Sequence, residues 1–240
     1  MSLREEITPY RDEDFLVHPW ILDREETNKS GNGVFYTSEY YTLLKLNNDL
    51  TDADSRMFEF IMQRCQVEPG LYKRSPTHTD QEGADDYYGL LMGAYFTGNH
   101  KLAEEVIEYG NNHYWIINNT NPGSFFHPDG RLNVSAWFFR YPALIAHAYW
   151  AANKTPPLIL YLLWCIIVGV SCRKGREHGT DPFRVTWALV KTNNGRGWLA
   201  RFVSKLFYKR LAKFFPNGGM NEVASLYYRD NHPFSRYWKD

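Results

Sequence analysis

Residues 82–106, EGADDYYGLLMGAYFTGNHKLAEEV, hold two helices of different character on either side of a short turn. The first, 84–96, mixes Gly, Ala and large aromatics, and its charges are confined to Asp85 and Asp86 at the start. A helix that is apolar all round has to be enclosed all round. The second follows Asn99, a residue type suited to a helix cap. Leu102, Ala103, Val106 and Ile107 fall on one face, and Glu104, Glu105 and Glu108 on the other. That period marks an outer helix with one side on the core and one in water. Thr97-Gly98 leaves room only for a tight return, so the pair reads as a helical hairpin.

The same alternation extends both ways along the chain. Thr51-Asp52-Ala53-Asp54 has the spacing of a capping box, and Met57, Phe58, Ile61, Met62 and Cys65 then share one face up to Pro69-Gly70. Pro156-Pro157 opens a third helix of the outer kind, containing the uncharged run 158–170, LILYLLWCIIVGV. Residues 195–215 form a fourth, with Leu199, Phe202, Val203, Leu206, Phe207 and Phe214 on one side. The enclosed kind recurs at 34–46, 135–152, 182–191 and 220–228. Glu39, Asp86, Arg140, Arg184 and Glu222 mark these inner helices at spacings of 47, 54, 44 and 38 residues, a loose repeat. The expected fold is all-α, with helical hairpins arranged in an incomplete toroid or superhelix. The expected organisation is an irregular acidic arm over 1–30 and one hairpin-repeat domain over 31–240. Little strand periodicity is visible.

Composition agrees with one large folded unit. Among 240 residues, 44% are apolar and 17% aromatic, enough to build a sizeable core. The net charge of zero hides an asymmetry. Residues 1–120 carry ten Lys and Arg against 21 Asp and Glu, a net of −11, and the remainder carries +11. Cys65, Cys165 and Cys172 show neither disulfide nor zinc spacing. The polar, acidic start is unlike a signal peptide. Together these features lead us to expect a cytoplasmic or otherwise reducing compartment, or a virion. The run 158–170 is short of the roughly 20 apolar residues that span a bilayer, so a core helix is expected there and a membrane role is not.

Segment 82–106 resembles a hairpin of the (α/α) toroid carbohydrate-active proteins, such as the unsaturated glucuronyl and rhamnogalacturonyl hydrolases. In those proteins an inner helix opens with an acidic pair and aromatic residues, and an outer helix follows a Thr-Gly-Asn-type turn. Asp85 and Asp86 match the acidic pair. Loops 32–35 and 69–72 look like those returning to the sugar-binding face of such toroids. The resemblance implies an (α/α) toroid, incomplete here, since nine helices are read where a full barrel has twelve.

On that face, acids, bases and flat aromatics would collect, a set suited to sugar hydroxyls, uronates and pyranose faces. Glycoside hydrolysis needs one protonated carboxyl and one carboxylate. Asp86 is the first candidate and Asp85 beside it the alternative to it, with Glu39, Asp181 or Glu222 as the other member. Asp85 and Asp86 point about 100° apart on a helix and cannot both serve. Tyr72, His78, His127, Trp137, Arg140, Arg184 and Trp187 are the expected substrate-binding residues, with Lys73 and Arg74 beside them. A lyase would instead use Tyr72, His78 or His127 as base. The structural alternative is that acids at helix starts serve caps and the helix dipole. No ligand spacing suggests a metal, and no nucleotide or nucleophile motif suggests a cofactor.

A second function class rests on other features. Arg201, Lys205, Lys209 and Lys213 recur every four residues as a basic stripe, and 227–238, YYRDNHPFSRYW, is aromatic and Arg-bearing. Interfaces favour such residues. A non-catalytic structural or assembly protein, for example a virion component, is therefore the alternative to a glycoside hydrolase or polysaccharide lyase. A glycan is the partner expected of the enzyme, and a protein partner or self-association that of the structural protein. No strong nucleic-acid signal is present.

Overall fold

The computed structural model describes residues 2–17, 33–76, 84–113, 115, 144–160 and 163. Helices dominate the described residues, and the one sheet among them is a two-stranded hairpin. In order come α1 (Leu3–Ile7), a 3-10 turn (Thr8–Tyr10), α2 (Gly33–Leu46), α3 (Asp52–Cys65), β1 (Gln66–Glu68), β2 (Leu71–Tyr72), α4 (Ala84–Thr97) and α5 (His100–Asn112). A further helix, α6, covers residues 144–151, and helical turns resume at 158–160. The expected helices at 182–191, 195–215 and 220–228 lie outside the described residues.

The inner and outer characters read from the sequence hold for the first two hairpins. Every residue of α2 from Gly33 to Leu44 is buried. On α3 only Phe58, Ile61, Met62 and Cys65 are, and Met57, expected on the buried face, lies at its exposed edge. Helix α5 buries Leu102, Ala103, Val106 and Ile107 and leaves Glu104 and Glu108 in water. Thr51 caps α3 through the full reciprocal box with Asp54. Asn99 stands at the N-cap of α5, but its side chain bonds Ser55 O and Thr97 Oγ1 and ties the two hairpins together instead of capping.

Helices α2 and α4 run parallel and in close contact. A Cβ at Gly89 would come within 2.6 Å of the Phe35 ring, and one at Gly93 within 2.8 Å of Ser38 Cβ, so positions rise together along both helices. Helix α6 continues the row. Tyr88 meets His147 edge-on at 5.1 Å, and His100, just past the end of α4, reaches Ala151 O. The inner helices also end alike, each in a left-handed residue: Asn48, Gly98 and Asn153. At Asn48 and Asn153 the next residue, Asp49 or Lys154, bonds the carbonyl five positions back, completing a Schellman cap.

Two departures from the sequence reading concern short elements. The expected irregular arm is structured over 2–17. Ser2 and Glu5 cap α1 reciprocally, and Leu3, Ile7, Leu16 and Val17 join the core. Arg4 clamps Asp54, and Arg64 clamps Asp14, fixing this segment to α3. The second departure is the β1–β2 hairpin, which turns at Pro69-Gly70, with Gly70 at φ +85°. Strands of two or three residues are too short for a period of two to register in sequence. Among the described residues no helix is long and apolar enough to cross a membrane.

Candidate functional site

The start of α4 and the β-hairpin before it bring together the acidic and aromatic residues that the sequence singles out. Tyr87, in the first turns of α4, directs its hydroxyl at the hairpin. It accepts from Tyr72 N at 3.1 Å and donates to Gly70 O at 3.1 Å. Tyr72 packs edge-on to Tyr87, and its own hydroxyl accepts from Gln66 Nε2. One phenol thus bridges the hairpin turn to the helix.

Past the hairpin, Arg74 pairs with Asp86, with Nε 3.5 Å from Oδ2. The Asp86 side chain is 1% exposed, and that of Arg74 is 36% exposed. Ser75 is buried beside it in sequence. The pair places a carboxylate inside the protein with its cation reaching out to solvent. In this conformation the Asp86 carboxylate lies below the surface, out of reach of a sugar there.

The other candidates fall as follows. Glu39 is fully buried on α2. Counting from the contact of Phe35 with Gly89, Glu39 sits seven residues beyond the level of Asp86, about 10 Å along the axis. Paired carboxyls in glycosidases lie about 5–9.5 Å apart, so the backbone offset of the two positions is at the upper end of that range. Tyr72, expected as a substrate binder, is fully buried. Asp85 lies in the first turn of α4, and its side chain is outside the described residues. His78, His127, Trp137, Arg140, Asp181, Arg184, Trp187 and Glu222 also lie outside them.

A small apolar cleft, with room for about 10 Å³ of water-sized occupancy, lies elsewhere, between the later turns of α4 and α6. Leu91, Met92, Tyr95, Phe96, His147, Trp150 and Ala151 line it, with no carboxylate. His147 stacks parallel to Trp150 and is buried, and burial pushes its pKa down to about 3. It is neutral at any ordinary pH. Sequence reasoning missed it, and the available signal was a lone His inside an enclosed helix. Sequence reasoning also gave no sign that Arg74 would pair with Asp86. Among the described residues no cluster of His, Cys, Asp or Glu is arranged to hold a metal ion. Comparison with protein-family models, curated proteins and solved structures gave no match.

Proposed function

We propose that the chain is a non-catalytic structural or assembly protein, a hairpin-repeat scaffold whose inner carboxylates serve folding. The observation that carries this reading is the burial of Asp86 against Arg74, away from the cleft. Glu39 and Tyr72, both fully buried, point the same way. A scaffold would act through its outer surface, and the outer helix α3 exposes Met57 and Phe60 there, with Arg64 over the Phe60 ring. Aromatic and Arg side chains are the types that anchor interfaces. The test is turnover of a panel of acidic oligosaccharides by wild type and by Asp86→Asn. The scaffold reading expects no turnover from either protein. Turnover by wild type that Asp86→Asn abolishes overturns it.

A second reading keeps the carbohydrate-active enzyme, favoured by the parallel row α2, α4, α6 with antiparallel helices between. That order suits an (α/α) toroid or superhelix, complete or not, and supports the resemblance carried by 82–106. In that form the catalytic carboxyls would come from Asp85, Asp181 or Glu222, with Asp86 as the residue that positions Arg74. A fold of this kind does not by itself imply an activity.

A further inference from the structure

The solvent side of α3 carries two stripes at one spacing. Ala53, Met57, Phe60 and Arg64 run along one edge of it, and Asp52, Arg56, Glu59 and Gln63 along the other, each at intervals of four, three and four residues. That interval keeps a stripe in line with a second helix packed alongside. Met57 and Phe60 are 38% and 50% exposed. Val67, also exposed, lies just past the end of α3, and exposed Phe15 follows Asp14, which Arg64 holds while lying over the Phe60 ring. Phe15 sits at φ +64°, a conformation that strains a bulky residue, and the Asp12 carboxylate fixes the turn by accepting from Asp14 N and Leu16 N. Four of the six large apolar side chains exposed among the described residues thus belong to α3 or to segments joined to it.

Charge and area select the partner. Asp52 and Glu59 balance Arg56 and Arg64, so the face is neutral overall and suits its own copy better than a strongly charged surface. Two α3 helices set antiparallel about a two-fold axis, with Met57 level with the partner's Phe60, place Ala53 level with the partner's Arg64. Arg56 then stands about 3 Å along the axis from the partner's Glu59. The two-fold axis makes each contact occur twice, and it lays apolar edge beside apolar edge and polar beside polar. A parallel pairing would instead bring Arg56 level with Arg56 of the partner subunit. Arg56 has no ion pair among the described residues, and Glu59 accepts only a 3.3 Å bond from Gln63. Arg64 is engaged by Asp14 and counts here only as packing. The exposed apolar side chains offer roughly 300 Å² per copy, against about 800 Å² for a standard interface, which fits a weak and reversible dimer.

Building on the assembly reading above, we propose that the chain forms a weak two-fold dimer through the solvent side of α3. Met57 packs on the partner's Phe60, and Arg56 pairs with the partner's Glu59. Phe60 beside Arg64 supplies the aromatic and guanidinium types that anchor interfaces.

The test is sedimentation equilibrium of the full chain from about 1 μM to about 1 mM, over which a monomer should pass into a dimer. Met57→Glu combined with Phe60→Glu is expected to weaken the dimer at least about tenfold. Both side chains are exposed, so thermal unfolding of the monomer should not move, which separates lost association from lost folding. Arg56→Glu and Glu59→Arg should each weaken the dimer by setting like charges together, and an equimolar mixture of the two variants should recover the wild-type affinity. Recovery by mixing reads a contact between chains, because a fault within one chain is not mended by another. A wild type that stays monomeric overturns the proposal, as does a dimer that the apolar double substitution leaves intact, or a mixture no tighter than either variant alone. None of these outcomes involves turnover of oligosaccharides, so the dimer and the assembly reading fail separately.

Discussion

Arg74 Nε lies 3.5 Å from Asp86 Oδ2 across the start of α4, joining a half-exposed cation to a buried carboxylate. The two ends of this pair are not equivalent. Arg74→Met leaves the carboxylate inside without its cation and should cost about 3 kcal/mol. Asp86→Asn keeps the shape and lets Arg74 turn to water, so about 1 kcal/mol is expected. Urea unfolding of both variants measures the order. A reversed order would mean that groups other than Arg74 hold Asp86.

The crossing of α2 and α4 depends on two glycines. A Cβ at Gly89 would lie 2.7 Å from Phe35 Cα, which is backbone and cannot step aside. Gly89→Ala should therefore destabilise by about 1–3 kcal/mol, even though Ala favours an exposed helix by about 1 kcal/mol. Calorimetry that found the variant more stable would show that the helices do not touch there.

The left-handed caps give a contrasting test. Asn48 and Asn153 have φ +61° and +62°. Asn48→Gly and Asn153→Gly should be neutral or slightly stabilising, because Gly adopts that region freely. Asn48→Val should destabilise by roughly 1–2 kcal/mol from the clash of a branched side chain in that conformation. At Gly98 a Cβ would meet no atom within 4 Å, so any loss in Gly98→Ala reports the φ of +78° alone. Chemical denaturation of these variants separates backbone strain from packing.

Stability should fall on acidification in two stages. Burial lowers the His147 pKa from 6.5 to about 3. The unfolded chain therefore binds a proton that the folded one refuses. The contribution of His147 is complete above about pH 6.5 and declines as pH falls toward 3, by up to about 1.4 kcal/mol per pH unit. Asp54, held down to about 2 from 3.8 by hydrogen bonds from Arg4 and then Thr51, contributes above pH 3.8 and is lost as pH falls through 2. Arg4 is well exposed, so this second stage is worth only about 1 kcal/mol. His147→Phe should flatten the curve between pH 6 and about 4, as measured by unfolding at fixed denaturant. An unchanged slope would mean that His147 is not the group responsible.

The legible part of the candidate site was its location on the chain, not its arrangement. Asp86 stood out as an acid at the start of an apolar helix, and loop 69–72 as a return toward it. Asp86 is 1% exposed and Tyr72 fully buried, and neither depth could be read from neighbours in sequence. Burial of a carboxylate depends on whether a cation arrives, and the one here comes twelve positions away across a turn that the sequence shows only as a stop.

The sequence by itself determined what short-range physics controls. The capping box at Thr51 and Asp54 joins residues three apart. The apolar face of α5 follows from the 3.6-residue period, and the enclosed nature of α2 from the absence of a polar side. Only the tertiary structure decided which distant groups meet. It set α2 parallel to α4 through Phe35 and Gly89, tied residues 2–17 to α3 through Arg4 and Asp54, and left Leu158 and Ile159 in water. Such choices rest on contacts between residues some fifty positions apart. Many chain paths bring equally apolar surfaces together, and close packing at a few atoms selects among them.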